Sequence, residues 1–239
     1  MNKWIMAGTA AAFTGAAAFA RSEYERTHLD IVHYDIKTDK LGLEWNGFKA
    51  VFLSDLHDNS FGMKNEELLA AIEKEQPDIV LIGGDMLVVK EWAAPHFDML
   101  ANLYKKLVKR YPVYYAFGNH EQRMKEEPLT YPGWWQSYWK VLKDSGMHVL
   151  VNKSEEIIKN GTAMRISGIT LPRECYRKGR IPSLSAGYID KKIGKASDKN
   201  FELLLAHTPT FAKTYADWGA DLVLSLSLIH ISEPTRQEA

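Results

Sequence analysis

Five short apolar runs recur along the chain: Lys49–Leu53, Asp78–Ile82, Val113–Phe117, Phe201–Leu205 and Ala220–Ser225. The run Lys49–Leu53 is too continuously apolar for a strand with one wet face, so it predicts a buried strand. Amphipathic helices separate the first three runs. Leu68, Leu69 and Ile72 share one face of Asn65–Glu75, which Pro77 ends. Phe97, Leu100, Tyr104, Leu107 and Val108 share one face of Pro95–Arg110, which Pro112 ends. Strand, helix, strand, helix, strand is the rhythm of a mostly parallel sheet, and it places the chain in the α/β class. Ahead of it, Ile31–Ile36 alternates and predicts an edge strand. Pro132–Ser145 reads as a further helix whose aromatics, Trp134, Trp135, Tyr138 and Trp139, share a face and serve packing. Beyond Gly146 the texture changes. His148–Asn152, Glu155–Lys159 and Ala163–Ile169 are strand-like, and Asn160-Gly161 is a hairpin signal, so a second, more antiparallel sheet is expected. Pro172–Lys199, rich in Gly, Pro and Ser, reads as a long surface excursion, either a lid or a plain loop.

The residues just beyond the first four apolar runs carry the chemistry. The first run leads into Ser54-Asp55-Leu56-His57, the second into Gly83-Gly84-Asp85, the third into Gly118-Asn119-His120-Glu121, and the fourth into Ala206-His207-Thr208-Pro209. Each motif alone is weak: a lone Asp or His after a strand is usually a satisfied loop residue. Four of them at the same ends of four core strands define a site, because open α/β sheets assemble sites at those ends. Carboxylate, imidazole and amide oxygen together suit a pair of divalent ions, with one carboxylate able to bridge them. The mixture favours manganese, zinc or iron over calcium.

Composition narrows the partners. The chain has 239 residues, 46% of them hydrophobic and 25% charged, which fits one globular α/β domain. Lys and Arg total 30, as do Asp and Glu, so no net charge steers the chain toward nucleic acid, and no nucleic-acid partner is expected. The single cysteine, Cys175, excludes an internal disulfide and a thiolate-based zinc cluster. At the N-terminus, Lys3 precedes an Ala-rich apolar stretch, Trp4–Ala20, and Arg21–Arg26 is charged. The stretch is shorter than the ~20 residues of a spanning helix, while Ala18-Phe19-Ala20 fits a signal-peptidase site. Residues 1–26 are therefore expected to be a signal peptide or membrane anchor. The catalytic domain would then lie outside the cytoplasmic membrane, or be secreted.

From about Gly47 to Ser225 these motifs resemble those of the calcineurin-like metallophosphoesterases. They are most similar to a membrane-associated bacterial branch reading Ser-Asp-Leu-His, Gly-Gly-Asp, Gly-Asn-His-Glu/Asp and Ala-His-x-Pro. The resemblance implies a four-layer α/β/β/α sandwich over residues 27–225 and two divalent metal ions. It also implies hydrolysis of phosphomonoester, phosphodiester or pyrophosphate bonds by a metal-bridging hydroxide. By the same resemblance Asp55 and His57 hold the first ion, Asp85 bridges, Asn119 and His207 hold the second, and His120 stands outside the metal shell as general acid. The implied substrate is a phosphorylated small molecule or a lipid-linked phosphate ester. The charged stretch Arg173–Arg180 could reach a phosphate tail or be a solvated loop.

Two departures qualify the likeness. Many relatives carry an acidic residue three positions after the bridging Asp to orient the catalytic histidine; here that residue is Val88. The family's closing Gly-His-x-His motif does not come after Ala220–Ser225, where His230 stands alone between Ile229 and Ile231. Leu226–Arg236 instead reads as translated sequencing adapter. Residues 226–239 are accordingly expected to be a non-native tail, leaving the domain incomplete at its C-terminus. A catalytically inactive fragment or pseudoenzyme is the alternative reading.

Overall fold

The computed structural model describes Arg21, Tyr24, residues 28–176 and residues 182–225. Of the expected leader, residues 1–26, all but Arg21 and Tyr24 lie outside the described residues, as does the expected tail, residues 226–239. No helix among the described residues is long and apolar enough to cross a membrane.

Among the described residues, two four-stranded sheets carry the fold. The first holds β1 (Ala50–Leu53), β2 (Ile79–Ile82), β3 (Val113–Tyr115) and β4 (His148–Val149), in that order and all parallel. The second holds β5 (Lys153–Lys159), β6 (Thr162–Ile169), β7 (Phe201–Ala206) and β8 (Leu222–Leu224), also in chain order. Only β5 and β6 pair antiparallel, through Asn160 and Gly161 at φ 46° and 88°; β6–β7 and β7–β8 are parallel. Two positive-φ residues in succession make the turn type whose twist matches a hairpin.

Side-chain alternation builds three cores and hence four layers. Along β2, Val80 and Ile82 face the helices, while Ile79 and Leu81 face the second sheet. The helix layer comprises α1 (Glu66–Glu75), α2 (Phe97–Val108), α3 (Asn119–Glu126) and α4 (Trp134–Ser145), which contribute Leu68, Ile72, Leu100, Tyr104, Met124 and Leu142. The middle core joins Leu81 and Tyr114 to Ile166, Leu203 and Leu205. On the far side of the second sheet, Leu204 and Ala206 pack with α5 (Ala186–Ile193) and α6 (Ala212–Trp218) through Ile189, Tyr215 and Trp218. A buried Arg165–Glu202 pair, 3.3 Å apart, pins this layer, and Arg165 also donates to the carbonyls of Lys195 (2.8 Å) and Ile193. The α/β class and the sandwich architecture expected from the sequence are those of the structure.

Several local expectations are corrected. Ile31–Ile36 is not a strand: its backbone pairs with none among the described residues, and Ile31, Val32, Tyr34 and Ile36 are exposed. The run Lys49–Leu53 forms the outer strand of the first sheet and is half-buried, where full burial was expected. His148–Val149 joins the first sheet rather than the second, and the second sheet is mixed with one antiparallel pair. Pro172–Lys199 is no plain loop. It contains a short 3-10 helix, Arg173–Tyr176, and α5, whose Ile189 and Ile193 are buried. Residues 177–180 of the candidate phosphate-binding stretch lie outside the described residues, and Arg173 pairs with Glu127. The aromatics of α4 do pack: Tyr138 is fully buried, and Trp134, Trp135 and Trp139 lie against the helix-side core.

Candidate metal centre

The turns that leave β1 and β2 are knitted together by main-chain bonds. Asp55 N–H donates to the Gly84 carbonyl at 3.0 Å, and His57 N–H to the Asp85 carbonyl at 3.1 Å. Asp55, His57 and Asp85 all have positive φ, at 55°, 51° and 50°. Non-glycine residues hold that conformation only where their surroundings over-determine it, and such residues cluster at functional sites. The strain swings the three side chains off the sheet and toward one another.

All six side chains singled out in the sequence meet here. Five arrive on the first sheet's turns and at the start of α3, and His207 arrives from β7 of the second sheet. The site therefore lies where the two sheets' ends meet, not along one row of four strands. Asp85 Oδ2 is the hub: His207 Nε2 lies 3.1 Å away, His57 Nε2 3.6 Å and His120 Nε2 4.0 Å. Asp55 Oδ1 lies 3.4 Å from His57 Nε2 and 4.0 Å from His207 Nε2. Two sets of possible ligands, His57–Asp85–His120 and Asp55–Asp85–His207, each gather within 4.8 Å, and Asp85 belongs to both.

Each carboxylate turns one oxygen to the protein and one to the cluster. Ser54 Oγ donates to Asp55 Oδ2 at 2.6 Å, and His120 N–H to Asp85 Oδ1 at 2.8 Å. The amide of Asn119 sits with a terminal atom 3.1 Å from His207 Nε2 and 3.2 Å from Asp85 Oδ2. As nitrogen it can donate to Asp85 Oδ2; turned by half a revolution, the amide oxygen would meet a cation instead.

The donor set fits divalent cations. His207 and Asp85 are buried, and His207 turns Nδ1 to the Gly83 carbonyl at 3.2 Å. Nδ1–H donating to a carbonyl leaves Nε2 as a lone pair aimed into the cluster, the outer bond that metal-binding histidines make. Without a cation, protons take its place. Burial works against charge on His207, yet the charge and hydrogen bond of Asp85, then Asp55, push its pKa up to about 9. His57 is raised by the same two carboxylates against the same burial.

His120 differs in kind. Its Nδ1 accepts from the Val89 N–H at 3.1 Å, and the Arg123 guanidinium lies 3.3 Å from the same atom. Two donors on Nδ1 leave the ring proton on Nε2. His120 is within ligand distance of Asp85 but presents a hydrogen rather than a lone pair. The missing acidic partner at Val88 is thus replaced by the next residue's backbone, with the polarity of the bond reversed. Val88 N–H itself donates to Asp58 Oδ2 at 2.9 Å.

Sequence reasoning gave Glu121 no chemistry, yet it is fully buried beneath the site and accepts the N–H groups of Asp85 (2.9 Å), Gly118 (3.0 Å) and Met86 (3.1 Å) and the Tyr115 hydroxyl (2.7 Å). Burial and then the Asp85 charge push it up to about 7, against those donors. Its acidic letter after Asn-His was the only signal. Tyr176, whose ring centroid is 6.2 Å from that of His207, also went unremarked.

Two facing sheets with a carboxylate–imidazole cluster at their strand ends define a metal-centred α/β/β/α protein. Residues 48–230 match the calcineurin-like phosphoesterase family, and the chain belongs to it. The chain is 28% identical over 173 residues to the uncharacterized metallophosphoesterase YkoQ of Bacillus subtilis, covering 72% of this chain and 57% of the relative. It is 22% identical over 221 residues to the uncharacterized metallophosphoesterase YkuE of the same organism, covering 90% and 70% respectively. The matched part thus spans little more than half the length of YkoQ.

Proposed function

We propose that the chain hydrolyses phosphoester bonds with two divalent cations, of which manganese, zinc and iron suit the ligands. One observation carries this reading: Asp85 Oδ2 is the shared corner of two ligand groups, as a bridging carboxylate requires. Following the family resemblance, Asp55 and His57 would hold one ion with Asp85, and Asn119 and His207 the other, although in the structure Asp55 gathers with His207 and His57 with His120. Bound there, the ions supply Lewis acidity, acidifying a water and neutralising phosphoryl charge. His120 carries its proton on Nε2, facing Asp85, where it can donate to a phosphoryl or leaving oxygen. The even charge balance favours phosphorylated small molecules or lipid-linked phosphate esters over nucleic acid. The apolar stretch Trp4–Ala20 is the basis for placing the activity at, or beyond, the cytoplasmic membrane.

The experiment loads the protein with manganese, zinc or iron, measures metal content by elemental analysis, and assays aryl phosphate mono- and diesters. Loading with turnover that vanishes in Asp85→Ala is the expected result. Turnover that survives Asp85→Ala would end the proposal. Loading without turnover would instead mark a non-catalytic metal binder.

A further inference from the structure

We propose that Glu121 is a positioning residue for the metal centre, braced by a buried chain of tyrosine hydroxyls; this rests on the function proposed above. The carboxylate has room for about four donors, and four fill it. Oε2 takes the N–H groups of Asp85 and Gly118, while Oε1 takes Met86 N–H and the Tyr115 hydroxyl. Two of these donors belong to the turn after β2, which presents Asp85, and one to the turn after β3, which presents Asn119 and His120. The link is returned in the other direction, because Asp85 Oδ1 accepts the His120 N–H at 2.8 Å. Each acidic side chain therefore clasps the backbone that carries the other, and the clasp leaves Asp85 Oδ2 as the oxygen facing the cluster.

The hydroxyls extend the clasp into the helix layer. Tyr115 OH lies 2.6 Å from Tyr138 OH, and Tyr138 OH lies 2.8 Å from Tyr104 OH, with all three residues fully buried. Because Tyr115 donates to Glu121, its oxygen is left to accept from Tyr138, and Tyr138 from Tyr104. A run of hydroxyls pointing one way polarises toward the carboxylate at its end. Tyr104 stands on α2 and Tyr138 on α4, so the packing of two helices fixes where Glu121, and through it Asp85, can sit. The carboxylate is neither ligand nor proton carrier in this role.

The test compares Glu121→Gln, Tyr115→Phe and Tyr104→Phe with the unmodified chain by titrating the metal-free protein with manganese and by following amide exchange. Glutamine keeps the shape but turns an NH₂ toward groups that also donate. Glu121→Gln is expected to weaken manganese binding by about 10- to 100-fold, the usual effect of losing an outer-shell partner. Tyr115→Phe, which removes one of the four donors and serves if Glu121→Gln fails to fold, should weaken it several-fold, and Tyr104→Phe, two hydroxyls further from the carboxylate, should weaken it least. In metal-free protein the Asp85 and Met86 amides should exchange faster in Glu121→Gln. Equal manganese affinity in all four proteins overturns the inference, and so does equal loss in Glu121→Gln and Tyr104→Phe, which would mark a general packing effect. An unmodified chain that takes up neither manganese, zinc nor iron overturns the proposed function instead. Amide exchange then still judges the clasp, with unchanged rates at Asp85 and Met86 counting against it.

Discussion

Gly84→Ala separates two costs that glycine substitutions usually confound. Gly84 has φ +92°, so any side chain there is strained by about 1–2 kcal/mol. A Cβ at that position would also lie 1.9 Å from Gly118 N, 2.5 Å from Phe117 C and 2.6 Å from Gly118 Cα, all main-chain atoms that cannot rotate away. Reaching ordinary contact at 3.4 Å requires the turns after β2 and β3 to part by about 1.5 Å, and forced overpacking of this kind costs about 1–3 kcal/mol. Gly133 is the control: its φ is +77°, yet nothing lies within 4 Å of its added Cβ. Gly133→Ala should therefore cost about 1–2 kcal/mol and Gly84→Ala about 2–5 kcal/mol, out of a stability of roughly 5–15 kcal/mol. Urea denaturation gives both, provided the slope of the transition is unchanged. The parting also moves Asp85 away from Asn119 and His120 by more than the ~0.5 Å that a site tolerates. Manganese affinity should then fall in Gly84→Ala and hold in Gly133→Ala. Equal destabilisation by the two substitutions would refute the close approach of the two turns and the brace argued from it.

Three further outcomes rest on the same geometry. His120→Gln should lower turnover by about 10²- to 10⁴-fold while metal affinity, read by titration, stays within a few-fold, because Nε2 holds a proton rather than a lone pair; lost metal binding would make His120 a ligand. A raised pKa on His207, about 9 without metal, means that the ring must release a proton to bind a cation. Metal affinity should thus rise with pH from 7 toward 9 with proton release on loading, and a flat titration curve would contradict this. Arg165→Met strips the charge partner from Glu202, whose side chain is wholly buried and whose pKa burial already raises. The expected loss is about 3–5 kcal/mol by denaturation, with the metal centre retaining its affinity.

The parts of this molecule that sequence could reveal are those written in side chains. Leu68, Leu69 and Ile72 mark α1 because a helix has one apolar stripe, and the six polar residues after the apolar runs meet because strand ends of facing sheets converge. Sheet membership was not legible. His148–Val149 looks like its neighbours in β5 and β6, and only its pairing with Tyr114 and Tyr115 assigns it to the first sheet. Burial of Lys49–Leu53 was overestimated for a related reason: an apolar run reports what could be covered, and an outer strand has no neighbour on one side to cover it. Ile31–Ile36 alternates like a strand but finds no partner among the described residues, since alternation describes two faces and says nothing about an edge to pair with.

The replacement at Val88 shows the deeper limit. Losing a carboxylate there looks like losing the partner of His120, because a letter code records side chains and every residue but proline carries the same unlettered N–H. Val89 supplies that N–H, and the bond it makes has the opposite sense. A carboxylate would accept from Nδ1, whereas the amide donates to Nδ1, with Arg123 beside it. The ring is therefore oriented through Nδ1, with its hydrogen on Nε2. Giving Val88 the acidic side chain need not restore the relatives' arrangement, since Val89 N–H already occupies the nitrogen that the new carboxylate would have to reach.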